Sequence, residues 1–164
     1  MPTPYSVMVV CTGNICRSPM AEVVLRERFA AAGLADRVVV DSTGISDEER
    51  GNPVDRRART VLLGHGYPAG DGHRARQVRA GDARDLVLAM TTVHARALRR
   101  LDLEPVLFRS FDPAADERDL DVADPWYGGA QDFEDCLAQI EAAADGIVQH
   151  VRAALGNARV PEHG

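Results

Sequence analysis

Lysine is absent from the 164 residues; all 19 basic side chains are arginine. That excludes Schiff-base chemistry and a Walker-type nucleotide loop, both of which need the amine. A basic tail is missing too, and the formal net charge is −6. Nucleic-acid binding is therefore not expected, because it calls for a positive surface. No window approaches the roughly 18 apolar residues of a membrane span. Met1 to Tyr5 carry neither a charged flank nor an apolar stretch, which argues against a secretory signal and for a cytoplasmic protein. Cysteine is scarce and odd in number: three, two of them inside one octet. That pattern suits reactive thiols in a reducing compartment, not a disulfide framework. Cys11 and Cys16 have no matching downstream Cys/His pair, so no metal and no other cofactor is expected.

What is present fits one compact domain, taken as residues 1–156 with a frayed tail at 157–164. Tyr5–Val10, Val38–Val40, Leu86–Met90 and Pro105–Phe108 read as short buried strands. A helix starting at Ser18-Pro19, with Ser18 as its cap, runs through Ala32 to Gly33. Asp55–Gly64, Thr92–Leu101 and Gln131–Leu155 read as further helices, with a kink expected at Gly146 in the last. Asp41–Pro53 and the acidic Ser110–Gly129 read as loops. Strands alternating with helices imply an α/β fold, a single three-layer domain with a four-stranded parallel sheet flanked by helices on both faces.

The octet Cys11-Thr12-Gly13-Asn14-Ile15-Cys16-Arg17-Ser18 follows the first strand and opens the first helix. In α/β sheets ligands bind beyond the carboxyl ends of the strands. A turn of successive N–H groups running into a helix N-terminus holds an anion. Gly13 lets the backbone approach closely, and Asn14 tolerates the left-handed region. Arg17 offers a fork to two oxygens of a phosphate. The positive surroundings favour the thiolate of Cys11, and Ser18 can donate a hydrogen bond to it. Together these specify a nucleophile aimed at phosphorus and a cysteinyl-phosphate intermediate. Cys16 either fills space beneath the loop or acts as a redox partner that traps oxidised Cys11. Cys136 reads as core.

Cleaving a phosphate ester requires a proton donor for the leaving oxygen. Asp124, in Asp124-Pro125-Trp126-Tyr127-Gly128-Gly129, is the candidate. Trp126 and Tyr127 can wall a slot for a flat aromatic substrate. Asp119 and Asp121 lie close in sequence and would favour its protonated form. His65 and His73 can position loops, while His94, His150 and His163 read as surface residues.

The octet with Pro19-Met20-Ala21-Glu22, Asp41-Ser42, Ala75-Arg76-Gln77 and Asp124-Pro125-Trp126-Tyr127-Gly128 resembles the low-molecular-weight protein tyrosine phosphatases, from about Val7 to Val151. The resemblance implies Cys11 as nucleophile, Arg17 as phosphate-binding and transition-state residue, and Asp124 as general acid and base. It implies Asn14, Ser18 and Ser42 as the loop-bracing set, Trp126 and Tyr127 at the mouth, and no metal. Its expected partners are phosphotyrosine proteins, among them a bacterial tyrosine kinase or its targets, with inorganic phosphate and other oxyanions as inhibitors. One departure stands out: Glu48 falls where many relatives carry an aromatic residue. Arsenate reduction is disfavoured, since no shuttle cysteines lie between Gly70 and Thr92. A protein-arginine phosphatase of the same fold remains an alternative, as does a non-catalytic phosphotyrosine-binding module.

Overall fold

The structure is a computed structural model that describes residues 3–159. Its chain order is β1 (Tyr5–Cys11), α1 (Arg17–Ala31), β2 (Val38–Gly44), α2 (Arg56–Gly64), β3 (Leu86–Ala89), α3 (Thr92–Arg99), β4 (Pro105–Leu107), a 3-10 turn (Phe108–Phe111) and α4 (Ala130–Arg159). The four strands form one parallel sheet in the order β2-β1-β3-β4. Alternation along β1 divides the core. Val7, Val9 and Cys11 join the larger cluster with residues of α1, α2 and α4. Met8 and Val10 join the smaller one with Ala95 and Leu98 of α3. The sheet is thus covered on both faces, the three-layer arrangement expected of parallel strands.

The chain leaves β1 for β2 on one side and later returns to β3 on the other. The carboxyl end of β1 is therefore the switch point of the sheet, where α/β folds open a crevice. The octet begins there.

Several boundaries differ from the sequence reading by one or two residues, Phe108 among them, which opens the 3-10 turn instead of ending β4; three differences are larger. β2 continues through Asp41, Ser42 and Thr43 to Gly44, paired residue for residue with Met8 to Cys11. These polar residues hid the strand because their side chains serve the surroundings: Asp41 pairs with Arg76 and Arg84, and Ser42 bonds Asn14 and Glu22. Next, α4 runs unbroken through Gly146. A Cβ there would strike the carbonyl of Phe111, so the glycine permits close packing of the helix on the 3-10 turn. Finally, α4 extends to Arg159, so part of the stretch expected to fray is helical. Residues 160–164 of that stretch, with His163, lie outside the described residues. Among the described residues, no helix is long and apolar enough to cross a membrane.

Candidate active site

The octet forms a loop whose carbonyls are tied outward. Cys11 O accepts from Ile45 N–H, Thr12 O from Ser46 N–H, and Ile15 O from Asp55 N–H, at 2.8–3.0 Å. Asn14 O accepts from His73 Nε2 at 2.7 Å. A trans peptide carries its N–H opposite its C=O. Four outward carbonyls therefore turn the N–H groups of Thr12, Gly13, Ile15 and Cys16 the other way, into an anion cradle. The left-handed residue is Asn14, at φ 62°, and not Gly13.

Ser18 does not cap α1, contrary to the sequence reading. No side chain caps this helix, and Ser18 sits inside its first turn, with Oγ 2.9 Å from Cys11 Sγ. The hydroxyl accepts from Asn14 Nδ2 at 2.9 Å, which leaves its proton for the sulfur or for Thr43 O at 3.2 Å. The Asn14 amide also reaches Ser42 Oγ at 3.0 Å, and Ser42 donates to Glu22 Oε1 at 2.7 Å. Arg76 N–H donates to Asn14 Oδ1 at 3.1 Å. Asn14, Ser18 and Ser42 form one buried bracing set beneath the loop. Glu22 and Arg76, at its two ends, had no assigned role in the sequence reading.

Arg17 is buried, and its guanidinium is held at several points. Nη1 donates to Val122 O at 3.0 Å, and Nη2 to Thr12 Oγ1 at 3.3 Å. Nη2 also lies 3.5 Å from Asp124 Oδ2. Val122 in turn donates its N–H to Met90 O, just beyond β3. The distal acidic segment is thereby docked across the end of the sheet, which brings Asp124 to the octet over more than a hundred residues of sequence. Asp124 Oδ1 accepts from Trp126 N–H at 3.0 Å, closing the local turn that the Asp-Pro pair announces. Asp119 and Asp121 are engaged elsewhere: Asp119 lies beside Arg109, and Asp121 accepts from the N–H of Thr92 at the start of α3.

Cys11, Thr12, Gly13, Ile15, Cys16, Arg17, Asp124, Trp126 and Tyr127 line a single cleft, with Ser46, Glu48 and Glu49 completing it. Trp126 is 38% exposed and lies beneath the Arg57 guanidinium, 5.0 Å from the ring centroid, whereas Tyr127 is 94% exposed. Burial pushes the Cys16 thiol well above its ordinary range, helped by the charge of Asp55 and by Cys11. At neutral pH Cys16 is therefore a protonated thiol. Cys136 is buried in α4, as the periodicity indicated, and its thiol is likewise pushed up by burial, to about 12.

His94 is a correction: it was read as a surface residue and is 2% exposed. Its Nε2 lies 2.8 Å from Thr12 Oγ1, against the octet. Burial, reinforced by Arg17, lowers its pKa to about 4. Only the distance between β1 and α3 in space reveals this pairing; nothing local in the sequence announces it. His65 pairs with Glu134, and exposed His150 packs edge-on to Phe111.

The sequence matches the low molecular weight phosphotyrosine protein phosphatase family over residues 6–157. The chain belongs to that family. It is 49% identical over 156 residues to a low molecular weight protein-tyrosine-phosphatase of Streptomyces coelicolor, covering 90% of this chain and 94% of the relative. A protein tyrosine phosphatase of Entamoeba histolytica superposes with a TM-score of 0.84 at 25% identity, over 92% of this chain and 99% of that one. A Drosophila arginine phosphatase superposes with a TM-score of 0.79 at 26% identity, over 89% and 97%. Membership makes this chain an enzyme of the protein-tyrosine-phosphatase class. Phosphatases of two specificities share the fold, so the fold alone does not choose between them.

Proposed function

We propose that this phosphatase hydrolyses phosphotyrosine in two steps at the cleft. In the first, the cradle N–H groups and Arg17 hold the phosphoryl oxygens, and the Cys11 thiolate attacks phosphorus in line. The bond to the tyrosine oxygen breaks as Asp124 delivers its proton there, which matters because the leaving phenol has a pKa of about 10. In the second step Asp124, now a carboxylate, takes a proton from water. The water attacks phosphorus, phosphate departs, and the Ser18 hydroxyl hydrogen-bonds the returning thiolate.

The observation that carries the reading is the convergence of Cys11, Arg17 and Asp124 on one cleft, with Ser18 Oγ 2.9 Å from the sulfur and Asp124 3.5 Å from the guanidinium. Ile15, Trp126 and Tyr127 give the cleft apolar walls suited to an aryl group. Inorganic phosphate and other oxyanions compete for the cradle. A bacterial tyrosine kinase or its targets supply the substrate, and the unpaired cysteines suit a reducing cytoplasm.

The test compares wild type, Cys11→Ser and Asp124→Asn on p-nitrophenyl phosphate, a phosphotyrosine peptide and a phosphoarginine peptide. Wild type should turn over the phosphotyrosine peptide, and Cys11→Ser should bind it without turnover. Asp124→Asn should lower kcat on it by about 10²–10⁴ and flatten the pH profile. Binding by wild type without turnover would instead assign a recognition module. Preferential turnover of phosphoarginine would assign the alternative phosphatase.

A further inference from the structure

A hydrogen-bonded pair outside the nucleophile, the arginine and the acid meets the cleft at Thr12. This threonine is exposed at the mouth, yet its hydroxyl is bonded to two buried groups, His94 Nε2 at 2.8 Å and Arg17 Nη2 at 3.3 Å. A guanidinium has no acceptor, so Arg17 must donate. The imidazole has a choice. If Nδ1 carried the proton, a donor would be buried with no partner, because Nδ1 has none among the described residues. Orphaned buried donors are rarer than under-satisfied acceptors. The economical arrangement leaves Nδ1 bare and puts the proton on Nε2, donating to Thr12. Both lone pairs of the hydroxyl are then filled, and its own proton turns to the cleft that the residue lines.

We propose that His94 and Thr12 are positioning residues for the phosphatase reaction: the neutral imidazole fixes the Thr12 hydroxyl, which holds the Arg17 guanidinium and presents its O–H to the incoming phosphoryl oxygens. The inference rests on the phosphatase reading above. Its consequence is differential, because a guanidinium held in one orientation contributes most where charge is redistributed in the transition state. Neutrality of the ring is part of the device, and it is consistent with the lowered pKa of this buried histidine.

The test uses Thr12→Val, which keeps the shape and removes the hydroxyl, Thr12→Ser, His94→Leu, His94→Gln and the Thr12→Val/His94→Leu double variant. Thr12→Val should lower kcat about tenfold with little change in KM, and weaken vanadate, a mimic of the pentacoordinate state, more than inorganic phosphate. Thr12→Ser should recover most of that loss, and His94→Gln, which restores a donor near Nε2, should exceed His94→Leu. The double variant should be no worse than the poorer single variant. The ring nitrogen shifts of His94 in ¹⁵N NMR should identify Nε2 as the protonated nitrogen. Thr12→Val within twofold of wild type in both kcat and vanadate affinity, or a proton found on Nδ1, would overturn the proposal. Thr12 lies at the cleft mouth, so Thr12→Val remains decisive even if His94→Leu fails to fold. A wild type without turnover would sink the phosphatase reading, whereas vanadate affinity and the NMR shifts report on this pair independently.

Discussion

The octet and the acidic segment from Asp112 to Gly129 supply the two halves of one site, and they are held by different physics. The cradle is over-determined. Its carbonyls are bonded outward, the Asn14 amide is buried in a network with Ser18, Ser42, Glu22 and Arg76, and β2 pairs with β1 up to Cys11 itself. The acid segment contains no helix or strand between the 3-10 turn and α4. It hangs on Val122, Arg109 and Arg57, and Asp124 itself is half exposed. An anion seat must be preorganised at the moment of reaction, because reorganising donors costs the stabilisation they provide. A proton donor must instead admit a protein-borne ring and let product leave, which a softly held loop allows.

That contrast breaks most visibly at Gly44. A Cβ there would lie 2.5 Å from Thr12 O, 3.0 Å from Asn14 N and 3.1 Å from Gly13 C. All three are backbone atoms of the cradle, and none is the yielding end of a side chain. Gly44→Ala should push the loop outward and lower kcat by about a hundredfold, the order of loss for a misplacement near 1 Å. Overpacking should also cost about 1–3 kcal/mol of stability. Chemical denaturation and phosphatase assay check both; activity within threefold of wild type would show that the cradle is softer than its hydrogen bonds indicate.

The same contrast explains what was legible in the sequence. The octet is local: strand, turn and helix start lie within eight residues, and each chemical role follows from a residue type at a fixed spacing. Asp124 was legible because Asp-Pro-Trp-Tyr-Gly-Gly combines a turn with two aromatic residues, though its docking through Val122 and Arg17 was not. The end of β2 was hidden because Asp41, Ser42 and Thr43 have the composition of a loop; what makes them a strand is pairing with β1. Thr12 belongs to the octet, but its partner His94 lies 82 positions away and carries no motif. Ser18 was legible as the partner of the Cys11 sulfur, but not as a residue that leaves the helix uncapped: a serine beside a helix start caps it by default, and here the sulfur and Asn14 take the hydroxyl instead.

Titration of His94 gives a second way to probe the rigid half. Burial is the main cause of its lowered pKa, about 4 against an ordinary value near 6.5; Arg17 lowers it further, and Asp124 partly opposes. Between these values the unfolded chain binds the proton and the folded chain does not. Stability is thus present in full above about pH 6.5 and lost as pH falls toward 4. The loss from this one group should be of order 3 kcal/mol at the acid end. Carboxylates titrate in the same range, so the readout is the difference between wild type and His94→Gln in urea melts at several pH values. The difference should change in favour of the glutamine variant as pH falls from 6.5 to 4. Parallel curves would mean that the ring already opens to solvent.

Arg57 should give the smallest effect, and it tests the soft half. Its guanidinium donates to Trp126 O at 2.9 Å, bonds Asp55, and lies over both Trp126 and Phe133, 5.0 and 4.7 Å from the ring centroids. It therefore clips the acid segment to α2 and α4 from outside. The group is substantially exposed, so solvent screens its ion pair with Asp55, and Arg57→Met should cost no more than about 1 kcal/mol. Met can still pack on the two rings, which isolates the lost hydrogen bonds from the lost contact area. With Trp126 O released, Asp124 should spend less time facing the leaving oxygen. The expected result is a fall of about twofold to fivefold in kcat on phosphotyrosine peptide, for which protonation of the phenol matters, and a smaller one on p-nitrophenyl phosphate, whose leaving group is a weaker base. Equal losses on the two substrates would mean that Arg57 acts on the cradle, and the division between a rigid anion seat and a softly held acid would have to be redrawn.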